Sequence, residues 1–555
     1  MNERTKTGLE ILQAAVLLGV LGDILLRQTP WGLNILLFVG AFIAAYVMLV
    51  LRRRQEFWTR QMLALNVALV YFAAMFVWRD SYELKVADTL AILTILAILT
   101  LPALKIKTQI AGVFHYAVGF VWSGISVAFA PFFLVFNDVQ WKTIPQTGWS
   151  KHLISVLRGV LIAVPILLIF GALFVAADAV FQGIIERTFN IQADIVVGHI
   201  IFTGFFSWIV AGYLRGSLIE NFSEDAKKTF LAAEVKQPKN LSVTDIKDED
   251  EPKAEEKLKA EENKKWSWQN FDNSVFPRVL TLGGIEVSIV LGLINLLFLA
   301  FVIVQIPYLF GGMDLVQNTP DFKLAEYARR GFGELVTVAA LVLPILLVSH
   351  WLLRKDNPVN EKIFRVFAGI QIVLLFVIMI SATQRLLLLT GNLGYGLTTI
   401  RLYPMIFMIW LALIFIWFAL TVLRGAREQF AWGALWSAFV ILGAVHVLNP
   451  DAYIVRTNIR LMQEGRVFDA SYNANLSDDA VPVLLENLDE MNFEQRCRVN
   501  NRYFYRLDES KQETDIRSFN FSRWTARKAI EENRIHMQTL DCPAYTQYYS
   551  YRDEF

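Results

Sequence analysis

The chain has 555 residues, 55% of them hydrophobic and 19% charged, with a formal net charge of +1. That balance, without a clustered basic face, argues against a nucleic-acid partner. A mean hydropathy of +0.42, with 15 Trp and 41 Phe, suits a lipid-facing surface with aromatic belts at its edges.

The apolar stretches follow one another in chain order. Gly8–Leu26 comes first and lacks a small-residue cleavage site after it, so it reads as a retained span, not a signal peptide. Trp31–Leu51 is the second. A helix needs about 20 such residues to cross the hydrocarbon core, and only helices or closed barrels satisfy their backbone there. Arg52, Arg53, Arg54 and Arg60 follow the second span and place that loop, and the N-terminus, in the cytoplasm. The acid-rich Asp80–Asp88 turn then falls outside.

Ile110–Phe136 holds His115 and Pro131 and lies between Lys105/Lys107 and Lys142/Lys151/Arg158, inner-type flanks on both sides. A segment preferring the same side at both ends reads as a re-entrant or interfacial segment (110–136). The N-terminal bundle, residues 1–216, then has six spans, Leu161–Ala176 and Ile195–Leu214 among them. Residues 217–277 are rich in Lys, Glu and Asp, as in Asp248–Lys257, and cannot bury enough apolar surface to fold. They read as a charged, disordered cytoplasmic linker, either a spacer or a docking tail.

Residues 278–448 form a second bundle of five spans: Ile285–Ile306, Leu335–Leu353, Ile363–Ile380, Tyr403–Leu423 and Trp432–Leu448. Arg354, Lys355, Lys362 and Arg365 mark one inner loop, Arg424 and Arg427 another, so the chain leaves the membrane on the outside. Residues 449–555 form a soluble tail. Ser477–Pro482 reads as a helix start, with acids at the positive dipole end and Pro482 in the first turn. Ser522–Met537 reads as a second helix. The fold class is all-α integral membrane: about eleven transmembrane helices in two bundles plus a small, mostly helical C-terminal extracytoplasmic domain. Cys497 and Cys542, the only two cysteines, form a disulfide if the tail faces an oxidising compartment and are two buried thiols otherwise.

Catalytic signatures are missing. There is no Gly-rich phosphate loop, zinc helix, Cys-x-x-Cys pair or nucleophile elbow. The histidines (His115, His152, His199, His350, His446 and His536) lack metal-ligand spacing, so no metal, cofactor or catalytic residue is expected. An isolated His in a span reads as a helix–helix hydrogen-bond donor. The informative polar residues are Arg329, Arg330, Glu334, Arg385 and Arg401, at outer span ends where Arg is depleted. Either they pair with acids such as Glu326, Glu334 or Asp178, or they bind an anionic ligand or lipid headgroup. The expected ligand-binding set is Arg329, Arg330, Glu334, Arg385 and Arg401, with Asp178 contributing, converging at the outer mouth of the second bundle. Glu286, Asn295 and Gln305 lie within one span but form no single stripe, which points to interhelical hydrogen bonds and away from a proton wire.

Ile289–Asn295, Gln305–Gly312, Glu326–Leu335, Tyr395–Tyr403 and Leu448–Ala452 recur in an order that resembles bacterial membrane proteins catalogued as domain of unknown function four-one-seven-three, related to the four-one-five-three group. Leu476–Pro482 and Arg517–Arg523 extend the likeness through the tail, so it covers about Arg158 to Ala529. Ala177–Phe181 departs from it in having no Pro after Asp178. The resemblance implies an architecture and the bacterial cytoplasmic (inner) membrane, with no activity attached. The expected function is a non-enzymatic transporter-like or sensory bundle recognising an anionic envelope component. Its expected partners are membrane lipids and an envelope ligand or partner protein at the tail, with no nucleic acid. The alternative is an integral-membrane transferase acting on a lipid-linked substrate. It ranks second because the first outer loop, Arg27–Pro30, is short and carries no acid.

Overall fold

The computed structural model describes residues 2–27, 30–141, 193–219, 281–310, 332–354, 357–387, 390, 396–509 and 515–542. Among these, regular structure is helical throughout, apart from one isolated bridge between Leu282 and Leu353. Among the described residues, eleven helices are long and apolar enough to cross a membrane. The chain is an all-α multi-pass membrane protein. Large apolar side chains such as Leu17, Val67, Leu297 and Ile400 stand exposed on these helices, as expected where hydrocarbon is the solvent.

Val113–Phe133 is one of the eleven. It is a continuous helix extended by a π-helical turn, Leu134–Asp138, and has no reversal inside it. Pro131 falls in its last turn, where a missing N–H does not turn the chain back. The hairpin form of segment 110–136 is therefore absent. Leu161–Ala176 and residues 220–277 lie outside the described residues.

Two compact units emerge, one from 1–66 and 119–237 and one from 67–118 and 238–555. In the first, α1 (Glu3–Leu26) packs on α2 (Leu33–Arg53) and on α6 (Ala193–Leu218). The α1–α6 crossing is close because Gly19 and Gly22 face α6: a Cβ on Gly22 would lie 2.7 Å from the Phe206 ring. Small residues at such crossings let the dispersion contacts of two backbones replace a hydrophobic drive that lipid does not supply.

In the second unit, α4 (Tyr82–Leu99) packs on α11 (Phe430–Leu448), which follows α10 (Thr399–Thr421). The edge-on rings of Phe72 and Phe439, 5.1 Å apart, join α3 (Arg60–Trp78) to α11. A continuous core unites α7 (Gly284–Phe310), α8 (Phe332–Leu352), α9 (Pro358–Leu387) and α10 through Leu291, Ala339, Phe364, Ala368 and Phe415. Asn449 adopts a left-handed conformation at the end of α11 and caps α12 (Pro450–Gln463), with Pro450 in its first position.

The tail has its own core, built from Val455, Leu484, Val499, Tyr503 and Ala526. Its further helices are α13 (Ala470–Ala474), α14 (Val481–Glu486), α15 (Phe493–Glu509), α16 (Phe521–Glu532) and α17 (Arg534–Thr539). Pro482 lies in the first turn of α14, and Asn520 begins α16 by accepting the Arg523 N–H. Asn533 separates α16 from α17, where the sequence suggested one helix. Cys497 and Cys542 are joined by a disulfide, with Cα atoms 5.4 Å apart.

Candidate functional site

Helix ends leave backbone groups without intrahelical partners. In the second unit, side chains of the tail supply several of the missing partners. Asn520 Nδ2 donates to Phe76 O and Arg79 O, both at 2.8 Å, at the end of α3. The Asp479 carboxylate accepts the N–H of Asp80 at 2.7 Å and of Ser81 at 3.0 Å, where α4 begins. Tyr472 Oη accepts the Thr399 N–H at 2.8 Å as α10 begins. Asn458 pairs both ways with the Leu397 backbone, at 2.6 and 2.9 Å. Gly396, with φ +72°, makes that last approach: a Cβ there would meet Asn458 Oδ1 at 2.8 Å.

Asp479 also begins a chain of contacts leading into the membrane. Its side chain is 1% exposed and accepts from Ser522 Oγ at 2.8 Å and from Arg79 at 3.3 Å. The same Arg79 guanidinium lies 4.4 Å over the Trp78 ring and donates through Nε to His446 O at 2.9 Å. His446 Nε2 and Asp88 Oδ1 are 2.9 Å apart, with side chains 0% and 1% exposed. Asp88 sits in α4 and His446 in α11. Ionisable groups held in spans are costly and tend to mark function.

A second branch surrounds Ser81. Its hydroxyl contacts Glu83 and Tyr403 Oη, each at 3.1 Å. Ser477 Oγ donates to Asp451 and also to Asp479, at 3.3 Å in the latter case. Asp451 is buried and its Oδ1 has no hydrogen-bond partner. Burial lifts its carboxyl pKa to about 6; the charges of Asp479 and Glu83 add to the rise and the Ser477 hydroxyl opposes it. Asp80 is held by Lys85 at 2.6 Å and Arg523 at 3.0 Å.

The family model described as Domain of unknown function (DUF4153) matches residues 66–487. The chain belongs to this family. No curated protein and no solved structure matches it. The matched stretch contains Arg79, Asp88, His446, Asp451 and Asp479, while Asn520 and Ser522 lie beyond it.

The first unit of this DUF4153 protein has polar contacts of its own. Asp138, at the π-helical end of α5 (Val113–Phe133), accepts from Arg215 Nε at 2.5 Å and Arg4 Nε at 2.7 Å. Arg53 bonds Glu3 at 2.9 Å and also Glu10, joining the end of α2 to the start of α1. These are structural ties between helix ends.

Of the residues singled out in the sequence, Asp178, Arg329 and Arg330 lie outside the described residues, as do the side chains of Arg385 and Gln305. Glu334 is exposed in the first turn of α8, and no ion pair joins it to Arg401. Arg401 donates to Gly396 O and so braces the turn that the tail clamps. Glu286 is exposed at the start of α7. Asn295 Nδ2 donates to Phe367 O at 3.0 Å, an α7–α9 hydrogen bond.

Sequence reasoning missed the Asp88–His446 pair. The available signal was an acid inside an apolar run, since carboxylates in spans are functional suspects. It was read instead as part of an outer turn, and its partner stands 358 residues away.

Proposed function

We propose that this DUF4153 protein is a non-enzymatic, transporter-like or sensory bundle of the bacterial cytoplasmic membrane, whose outer Arg/Glu cluster and tail recognise an anionic envelope component, the tail acting on the bundle through Asp479 and Arg79. One observation carries this reading: a buried tail carboxylate holds the α3–α4 turn, and the arginine it meets reaches the backbone of an intramembrane histidine paired with Asp88. Movement of the tail then shifts the α4–α11 contact that the Asp88–His446 hydrogen bond spans.

The ligand contacts in this reading are Arg329, Arg330, Glu334, Arg385 and Arg401. Arg401 braces the turn that Asn458 and Tyr472 clamp from the tail, so an anion bound there also acts on the tail. The Arg52–Arg54 cluster supports a cytoplasmic N-terminus, and Arg424 and Arg427, an inner-type pair just before the last span, support an extracytoplasmic tail. The ordered motif series favours the four-one-seven-three branch of the relatives.

Amide hydrogen exchange on the full-length protein in lipid nanodiscs tests the coupling. Asp479→Asn should speed exchange in α4 and α11 around Asp88 and His446 while leaving α7 and α9 as in the wild type. Unaltered exchange in α4 and α11 would remove the basis of the reading.

A further inference from the structure

The outer face of α16 and the turn before it are rich in exposed aromatic and aliphatic side chains. Ile516, Phe519, Phe521 and Trp524 are all exposed. At about 100° per residue, Ser522, Ala526 and Ile530 line one side of α16 and face the tail core, whereas Phe521, Trp524 and Lys528 share the opposite stripe. The Phe521 and Trp524 rings are 5.8 Å apart, and Lys528 Nζ lies 6.0 Å from the Trp524 ring centroid. Arg527 is exposed beside them.

The height of this stripe is fixed by its neighbour Asn520, which bonds Phe76 O and Arg79 O in and just beyond the last turn of a membrane span. The aromatic stripe therefore starts at the end of α3, a helix whose preceding turns expose Leu63, Val67 and Val70. Trp78, and Tyr82 at the start of α4, lie at the same level. Aromatic rings gather at the depth of lipid headgroups, with Lys and Arg reaching the phosphates.

We propose that Ile516–Lys528 is an interfacial anchor: Phe519, Phe521 and Trp524 insert into the headgroup region of the bilayer that holds the bundle, and Arg527 and Lys528 bind anionic lipid phosphates. The occupant is this same bilayer, because the stripe starts at the end of α3 and its charge is complementary to anionic headgroups. The anchor keeps the tail pressed on the span ends that Asp479 and Asn520 cap, whatever the bundle transmits.

The test uses the full-length protein in vesicles of phosphatidylcholine with or without phosphatidylglycerol. The two native cysteines are bonded to each other, so a nitroxide can be attached to Trp524→Cys, to Phe521→Cys as a second site, and to Val467→Cys, an exposed position past the far end of α12, as the aqueous control. Power saturation compares the access of oxygen with that of a water-soluble nickel chelate. The oxygen-to-nickel ratio should be several-fold higher at 521 and 524 than at 467, and Lys528→Glu should lower it more in the phosphatidylglycerol vesicles. Equal ratios at all three sites would place the stripe in water and overturn the anchor. Spin–spin broadening between labels would overturn it in favour of a second copy of the chain. Labels shielded from both quenchers would mean that protein, not lipid, covers the stripe.

Discussion

At the residue scale, Asp451 offers the most direct experiment. Its folded-state pKa of about 6 exceeds the ordinary 3.8, so the folded protein holds this proton more tightly than the unfolded chain does. The stabilisation from that proton is complete below about pH 4 and is lost as pH rises to about 6, a change of about 3 kcal/mol. Asp451→Asn stays neutral throughout. Thermal unfolding of the variant should therefore be less sensitive to pH over that window, with a higher Tm than the wild type at neutral pH. Parallel curves would show that Asp451 ionises like a surface carboxylate. Residue type alone could not have revealed this group. Ser477-Asp-Asp was legible as a helix start, but the burial of Asp451 and its closeness to Asp479 and Glu83 come from segments far apart in the chain.

At the scale of elements, the spans were legible because a run of about 20 apolar residues has few alternatives to a membrane helix. Their pairing was not, since helices in lipid choose neighbours by fit and by single hydrogen bonds. Segment 110–136 carries two alternatives in its sequence, a hairpin or an interfacial helix, and only the hairpin is inconsistent with one continuous helix over Val113–Phe133. Its flanks argue for one side of the membrane, and the end of its helix is held by Asp138 on Arg215 and Arg4.

Gly212 in α6 makes the fit measurable. A Cβ there would lie 2.7 Å from Ser126 O and from Val127 Cα, which are backbone atoms that cannot swing aside. Gly212→Val should push α5 and α6 apart and lower stability in detergent by about 1–3 kcal/mol. Gly204, with no atom near its missing Cβ, is the control: Gly204→Val should leave the Tm close to that of the wild type. Similar behaviour of the two variants would mean that α5 and α6 do not cross at Gly212.

At the scale of the whole molecule, a cytoplasmic N-terminus and an extracytoplasmic tail predict sided chemistry. Cysteines introduced within 223–265 should react with a membrane-impermeant maleimide only after the cytoplasmic face is opened, and Val467→Cys should react in intact cells. Labelling of both from one face would reverse the parity. The candidate site was only half legible. Arg401 stood out as an arginine on the disfavoured side, and it proved to brace the turn clamped by the tail. Asp479, Arg79, His446 and Asp88 did not stand out as a set, because each belongs to a different segment and the chain of contacts exists only after folding.

Whether the tail is coupled to the intramembrane pair is decided most directly by a double-mutant cycle. Unfolding free energies of the full-length protein would be measured in one detergent for Asp479→Asn, Asp88→Asn and the double variant. Substitutions at sites that share no partner add to within about 0.5 kcal/mol. The Asp479–Arg79–His446–Asp88 network predicts an interaction energy clearly larger than that, with the double variant less destabilised than the sum of the singles. Simple additivity would contradict it.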